Sequence, residues 1–284
     1  MIKILETPRD AMQGIANFIP TNQKVEYINS LLKVGFDMLD FGSFVSPKAI
    51  PQLSDSNKVI EQLDTENSNT EIIATIGSFS GANRAFEHAK IDAVAFPFSI
   101  SEIFLKKNIN SNFTKSQLTI DNILNLCKQR NKSLKLYIAM AFGNPYGDKW
   151  NEEILAIWIE KLLNMGVKNI LLADTTGDGS IEDIANSFAL LQKEFPNLNP
   201  GAHLHTLPTN WESKLSAAYE NGCRSFDSVL GGFGGCPMSG KALMGNLDTA
   251  NLISYMKAKG EQLNINNNRL LEAYEVGNRI MNNQ

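Results

Sequence analysis

Short apolar runs alternate with amphipathic stretches along nearly the whole chain. The runs are short enough for buried strands, whereas the stretches between them space their apolar residues as helices do. Residues 21–34 show this helical spacing, Gly35 stands where a helix C-cap belongs, and a strand follows at once. The same order of helix, glycine and strand returns at Gly166 and at Gly222. The pattern therefore predicts repeated strand–helix units.

Eight apolar runs predict eight strands, and the segments between and after them predict eight helices. The runs are IKILE, FDMLDF, EIIATI, DAVAFPF, LKLYIAM, VKNILLAD, GAHLH and CRSFDS. The predicted helices lie near residues 21–34, 55–63, 81–89, 117–130, 151–165, 181–194, 210–221 and 247–259. Strand–helix alternation over roughly 250 residues favours a parallel sheet, and eight units favour closure into a barrel.

The predicted fold class is thus α/β, a (β/α)₈ TIM barrel with an extra C-terminal helix. We expect one domain over residues 1–284, with the barrel in about 1–260 and the helical extension in about 265–283. An open doubly wound sheet is the alternative. It usually carries a glycine-rich turn after its first strand, and TPRDAMQ (7–13) contains no glycine.

Composition excludes several classes of protein. A net charge of −4 over 284 residues gives no general attraction to nucleic acid or to an anionic membrane. No apolar run approaches the roughly 18–20 residues of a membrane helix, and we see no cleavable signal at the start. The cysteines, Cys127, Cys223 and Cys236, predict no disulfide framework. These features are typical of a cytoplasmic protein.

The strongest chemical signal is the pair His203 and His205 at the end of the seventh predicted strand. Residues i and i+2 of a strand face the same side, so both imidazoles can converge on one divalent cation. Asp10 follows the first strand directly and is the natural anionic partner at the same barrel mouth. Arg9 beside it indicates either a structural ion pair or a group that stabilises negative charge on an oxygen. We expect the third histidine, His88, to be structural and to lie in a helix.

Other candidates carry weaker signals. The glycine-rich loop 231–240 after the eighth strand holds Cys236, which is either an acid–base group on a lid or an incidental cysteine. Asn246 either supplies a neutral oxygen ligand or caps the next helix. Asp174 in DTTGDG is an active-site carboxylate or a helix cap. Lysines in FLKKNIN (104–110) either guide an anionic ligand or are merely solvated.

Taken together, these residues resemble the 3-hydroxy-3-methylglutaryl-CoA lyase family, a branch of the metal-dependent TIM-barrel lyases and Claisen-type synthases. The resemblance covers nearly the whole chain. It rests on TPRDAMQ (7–13), FGSFVSPKAIPQ (41–52), FLKKNIN (104–110), FGNPYG (142–147), DTTG (174–177), HLH (203–205) and GFGGCP (232–237).

The resemblance implies cleavage of 3-hydroxy-3-methylglutaryl-CoA to acetyl-CoA and acetoacetate with one Mg²⁺ or Mn²⁺ per subunit, as in leucine degradation and ketone-body formation. The metal positions of the family fall on Asp10, His203, His205 and Asn246. Its catalytic positions fall on Arg9, Cys236, Asp174 and His203. Substrate-binding positions fall on Arg9, Gln13, Asp40, Ser43, Lys48, Asn108 and Asn110. The expected partner is an acyl-CoA, in a homodimer.

This chain departs from the family pattern at three places. Asp40 replaces a usual glutamate, Thr206 follows the histidine pair where an acidic or amide residue is common, and Ser78 stands near an expected asparagine. None of these is a proposed metal ligand. The departures leave room for a related 3-hydroxy-acyl-CoA substrate.

Four alternatives remain open. One is a synthase that condenses acetyl-CoA with a 2-oxo acid on the same barrel. A second is a non-haem Fe(II) oxygenase, whose two histidines and carboxylate match but whose usual fold does not. A third is an inactive barrel that acts as a scaffold. The last is a Schiff-base aldolase, which is disfavoured because no lysine occupies an evident strand-end position.

Overall fold

In the computed structural model, which describes residues 1–234 and 245–282, eight parallel strands close into a barrel. The strands are β1 (Lys3–Glu6), β2 (Met38–Ser43), β3 (Glu71–Thr75), β4 (Ala93–Ser99), β5 (Ser133–Ala139), β6 (Asn169–Asp174), β7 (Gly201–Thr206) and β8 (Ser225–Ser228). Each strand pairs with the next, and β8 pairs with β1, where Leu5 lies opposite Asp227. A two-residue strand, β9 (Gly245–Asn246), pairs antiparallel with the end of β7. The predicted TIM barrel is confirmed.

Helices follow the strands. They are α1 (Pro8–Gln13), α2 (Thr21–Leu32), α3 (Ser56–Gln62), α4 (Phe79–Ala85), α5 (Glu102–Ile109), α6 (Phe113–Arg130), α7 (Glu152–Asn164), α8 (Ile181–Glu194), α9 (Trp211–Glu220), α10 (Thr249–Ala258) and α11 (Asn267–Asn282). The short helices α1 and α5 were not predicted. No helix in the described part of the chain is long and apolar enough to cross a membrane.

The predicted helix around His88 is wrong in its extent. Helix α4 ends at Ala85, and His88 lies in the turn that leads to β4. This turn contacts the C-terminal end of α3, because Lys90 Nζ donates hydrogen bonds to the carbonyl oxygens of Glu61 and Leu63. The His88 ring packs against Phe44 at a centroid distance of 5.6 Å, in agreement with a structural role.

Strand β4 shows how the sequence builds two apolar layers. Phe96 and Phe98 belong to the core between the strands and the helices. The alternate residues, Ala93 and Ala95, belong to a separate cluster with Leu5, Met38 and Ile73. Small side chains on one face and large ones on the other follow the two-residue period of a strand. The barrel interior is therefore narrow and is filled by side chains rather than open as a pore.

The C-terminal helix α11 packs on α2 on the outside of the barrel. Gly277 makes this close approach possible, because a Cβ atom there would lie 2.7 Å from Cε2 of Tyr27. Tyr27 is fully buried beneath the helix. The extension thus seals one side of the barrel next to β1.

Candidate metal centre

Asp10, His203 and His205 meet at the mouth of the barrel. One ligand atom from each residue lies within 4.8 Å of the other two. The register of β7 turns both imidazoles to the same side. Asp10 reaches them because α1 begins directly after β1, with Pro8 at its first position, where a missing N–H is tolerated. The fold thus brings together residues that are nearly 200 positions apart in the sequence.

The atoms of this cluster fit a divalent cation. The Nε2 atoms of His203 and His205 are 3.1 Å apart, and Oδ2 of Asp10 lies 3.9 Å from Nε2 of His203. Oδ2 of Asp10 is buried and finds no hydrogen-bond partner among the described residues. A buried carboxylate oxygen without a donor is costly, and a cation between it and two imidazole lone pairs removes that cost.

His203 is oriented from behind by Asp227. Its Nδ1 lies 3.0 Å from Oδ2 of Asp227, which also accepts a hydrogen bond from Tyr137 Oη at 2.6 Å. Burial acts to lower the pKa of His203, but the hydrogen bond and charge of Asp227 outweigh it and the pKa is raised. When Nδ1 carries the proton that Asp227 accepts, the Nε2 lone pair faces the cluster.

His205 has the opposite electrostatic environment. Burial, followed by the neighbouring His203, lowers the pKa of His205 to about 3, so the ring is neutral at physiological pH. The pKa of Asp10 is also lowered, because burial, which acts to raise it, is outweighed by the charges of Arg9 and the histidines. A neutral imidazole and an ionised carboxylate are the forms that bind a metal.

Asn246 joins the cluster through β9. Its backbone pairs with His205, and Thr206 Oγ1 donates a 3.4 Å hydrogen bond to its carbonyl oxygen. Its side-chain Nδ2 donates to the carbonyl oxygen of Phe233 at 2.9 Å. Asn246 also lies beside Asp10, since a side-chain hydrogen bond from Asn246 is one of the causes that lower the pKa of Asp10. Thr206, a departure from the family pattern, supports this strand pairing.

Arg9 connects Asp10 with Asp40 in a buried network. Its Nη1 donates to Asp10 Oδ1 at 2.6 Å and to Gln13 Oε1 at 3.0 Å, and its Nε donates to Asp40 Oδ2 at 2.8 Å. Thr75 Oγ1 donates to the same Asp40 oxygen. Burial raises the pKa of Asp40 although Arg9 opposes the shift. The shorter aspartate thus still reaches the arginine that lies beside the metal cluster.

Asp174 is paired with a lysine. Its Oδ2 lies 2.5 Å from Lys214 Nζ, and its Oδ1 accepts the N–H of Gly179 at 3.0 Å. Lys214 Nζ also donates to the carbonyl oxygens of Gly177 and His205, at 2.8 and 3.2 Å. Both carboxylate oxygens of Asp174 thus have a hydrogen-bond donor. Lys214 contacts Asp174 at the end of β6 and His205 near the end of β7, and so connects the two strands.

Four other predicted site residues lie apart from this cluster. Ser43 donates to the carbonyl oxygen of Thr75 and lines a cavity of about 700 Å³ with Phe44, Arg84 and His88. Lys48, Asn108 and Asn110 are exposed, and within the described ranges their side chains form no hydrogen bond with the metal cluster. Cys236 lies outside the described residues.

Sequence reasoning missed Tyr137 and Lys214. Tyr137 stands in mid-strand rather than at a strand end, but it shares its side of β5 with Lys135, the polar alternation that marks the barrel interior. Lys214 lies on helix α9, where a single lysine looks solvated. Asp227 lies near the end of β8, but its bond to His203 depends on the register of β7 against β8.

Comparisons with known proteins identify the family. The HMGL-like family model matches residues 2–276. The mitochondrial hydroxymethylglutaryl-CoA lyase of Pongo abelii is 31% identical, over 96% of this chain and 83% of that protein. The cytoplasmic 3-hydroxy-3-methylglutaryl-CoA lyase of Homo sapiens is 29% identical, over 96% of this chain and 73% of that protein.

Solved structures show the same fold. The HMG-CoA lyase of Bacillus subtilis superposes with a TM-score of 0.92 at 27% identity, covering 99% of this chain and 94% of that one. An Acinetobacter baumannii HMG-CoA lyase in complex with coenzyme A and 3-methylmalate gives a TM-score of 0.90 at 28% identity, covering 99% of this chain and 92% of that one. Since the family model spans almost the entire barrel and its C-terminal helix, the chain belongs to the HMGL-like family.

Proposed function

We propose that the protein is a carbon–carbon lyase that cleaves 3-hydroxy-3-methylglutaryl-CoA to acetyl-CoA and acetoacetate with one Mg²⁺ or Mn²⁺ per subunit. The observation that carries this proposal is the unpartnered Oδ2 of Asp10 facing the paired imidazoles of His203 and His205. The relatives named above as lyases for this substrate support the same reaction.

Asp10, His203, His205 and Asn246 would hold the cation. A bound divalent cation supplies Lewis acidity and a template for the oxygens of the substrate. The carboxylate and amide oxygens suit Mg²⁺ and Mn²⁺, and these are the two ions that the resemblance implies.

Arg9 is proposed to stabilise the thioester enolate that leaves when the C2–C3 bond breaks. Its five N–H groups are only partly used: Nε and Nη2 face Asp40, and the two Nη1 protons serve Asp10 and Gln13. At least one Nη2 proton is left for a substrate oxygen. Because Asp40 and Asp10 hold the guanidinium in place, it needs no reorganisation as charge develops.

His203 and Asp174 are the candidates for accepting the proton of the C3 hydroxyl. The oxygens of Asp174 are occupied by Lys214 and Gly179, which favours a positioning role. Nε2 of His203 faces the cluster and has one lone pair, so His203 would accept the proton only when that lone pair is not given to the cation, which Asp10, His205 and Asn246 would then hold. A proton received by His203 is stabilised by Asp227, and we therefore propose His203 as the acceptor. Cys236, or water, would return a proton to the enolate.

The coenzyme A arm is proposed to run over the exposed residues beside the mouth. Ser43, Lys48, Asn108 and Asn110 fall in the motifs that the resemblance assigns to substrate binding. Lys48, Asn108 and Asn110 are exposed, which suits contacts with an extended chain rather than with the reacting carbon, whereas Ser43 is buried and lines a cavity. A homodimer and a cytoplasmic location are also proposed, and the relatives include lyases of both mitochondria and cytoplasm.

Product analysis tests the proposal. Incubation with 3-hydroxy-3-methylglutaryl-CoA and Mg²⁺ should yield acetyl-CoA and acetoacetate in equal amounts, and Arg9→Met and His203→Ala should lower the rate at least 100-fold. Near-parent rates in both variants would contradict the scheme. A panel of other 3-hydroxy-acyl-CoA thioesters would define the acyl group. Free thiol formed from acetyl-CoA and a 2-oxo acid would instead identify a synthase.

A further inference from the structure

Glu6, the last residue of β1, is fully buried, and its carboxyl group binds both ends of one loop. Oε1 accepts the backbone N–H of Leu230 at 2.8 Å, and Oε2 lies 2.6 Å from Thr249 Oγ1. Leu230 comes two residues after the end of β8, and Thr249 is the first residue of α10. One side chain therefore contacts both ends of the connection between β8 and α10, which we call the 231–248 loop. Its described residues are 231–234 and 245–248, and we call Leu230 and Thr249 its two roots.

The described part of this loop carries groups of the candidate metal centre. Asn246 lies near its end, and its side chain donates to Phe233 near its beginning. Gly234 approaches the strand–helix junction so closely that a Cβ atom there would lie 2.3 Å from the carbonyl oxygen of Asp10. A shift of either root would move Asn246 relative to His205 and Asp10.

The hydrogen bonds at Thr249 extend this link to β8. Thr249 Oγ1 lies 2.8 Å from Ser228 Oγ as well as 2.6 Å from Glu6 Oε2. The backbone N–H of Thr7, the next residue after Glu6, donates to the carbonyl oxygen of Ser228. The carboxyl group of Glu6 and the hydroxyl groups of Thr249 and Ser228 thus connect β1, α10 and β8.

No lysine or arginine within the described ranges forms an ion pair with Glu6. The acidic Asp248 and the buried Tyr27 are the titratable groups nearby. A carboxyl without a countercharge is an expensive way to fill a core. What it provides here is two directed hydrogen bonds to the two ends of a loop, which an apolar side chain cannot make.

We infer that Glu6 is a positioning residue for the candidate metal centre, which it serves by fixing both roots of the loop that presents Asn246. The inference rests on the proposed function, because Asn246 matters in this way only if it holds a cation. Thr249 is the second residue needed for this role, because its hydroxyl group is the contact of Glu6 at the start of α10. Loss of either contact frees one root of the loop and weakens cation binding without touching a ligand.

Mn²⁺ binding measured by calorimetry tests this inference. We expect Thr249→Val and Glu6→Ala to raise the Kd for Mn²⁺ about 10-fold, the lower end of what lost support of a metal site costs. Glu6→Gln keeps an acceptor for Leu230 and a partner for Thr249, so its Kd should stay within about 3-fold of the parent.

Thr70→Val is the matched control. Thr70 is a buried threonine whose hydroxyl donates to the carbonyl oxygen of Phe36 at the opposite end of the barrel. It should lower Tm but leave the Kd for Mn²⁺ unchanged. A Thr249→Val protein that binds Mn²⁺ like the parent would overturn the inference, even if Glu6→Ala fails to fold. A parent that binds no Mn²⁺ would instead overturn the proposed cation site itself.

Discussion

The buried ion pair between Lys214 and Asp174 connects the ends of β6 and β7 beside the candidate metal centre. Its effect on the free energy of unfolding can be measured directly. The two side chains are only 4% and 3% exposed, and Nζ lies 2.5 Å from Oδ2. Lys214→Met keeps much of the apolar stem but removes the ammonium group. Asp174 then loses its countercharge, and the carbonyl oxygens of Gly177 and His205 lose a donor.

Breaking a buried pair in this way costs about 3–5 kcal/mol, because the remaining charge stays buried without compensation. Burial already raises the pKa of Asp174, with Lys214 opposing the shift. Without Lys214 the folded-state pKa rises further, so the penalty is absent below the unfolded-state pKa, grows as pH rises from there to the folded-state pKa, and is constant above it. The destabilisation should therefore be larger at pH 8 than at pH 5.

Urea unfolding of the parent, Lys214→Met, Asp174→Asn and the double variant measures this coupling. The double variant should recover a large part of the loss, because a neutral amide needs no countercharge. A loss below about 1 kcal/mol in Lys214→Met at pH 8, or a double variant as unstable as the sum of the single changes, would refute the reasoning.

Three further predictions concern other contacts. Asp227→Ala removes the acceptor that orients His203, so calorimetry should show a Kd for Mn²⁺ raised about 10- to 100-fold; an unchanged Kd would contradict this role. Burial raises the pKa of Glu6 from 4.5 to about 8, so the parent should lose stability relative to Glu6→Gln as pH rises from about 4.5 to 8, by at most about 1.4 kcal/mol per pH unit. Parallel stability curves from unfolding at pH 5 and 8 would exclude this linkage. Gly277→Val places atoms against the Tyr27 ring and should cost about 1–3 kcal/mol in thermal unfolding, whereas an unchanged Tm would show that α11 moves freely.

The barrel and the convergence of Asp10, His203 and His205 could be predicted because each leaves a local mark in the sequence. A strand shows its run of apolar residues, and a helix of three turns shows its period. The His203 and His205 pair is visible because strand geometry alone sets the direction of both side chains. Asp10 needed only the rule that chemistry gathers where barrel strands end.

The contacts between elements could not be predicted in the same way. The bond from Tyr137 to Asp227 depends on the diameter of the barrel, and the reach of Lys214 depends on how α9 packs against β7. Glu6 looked like the ordinary end of a strand, yet its partners lie more than 220 residues away. The hydrogen bonds of Lys90 with Glu61 and Leu63, in the turn after α4, likewise depend on how neighbouring elements pack.

The rate of 3-hydroxy-3-methylglutaryl-CoA cleavage, measured against the number of Mn²⁺ ions bound per subunit, tests the central claim most directly. Chelator-treated protein should be inactive, and the rate should rise in proportion to bound Mn²⁺ until one ion is held per subunit. His205→Ala should bind Mn²⁺ weakly and stay inactive at the concentration that saturates the parent. Full cleavage by the chelator-treated protein would contradict the claim that Asp10, His203 and His205 form the metal centre of this lyase.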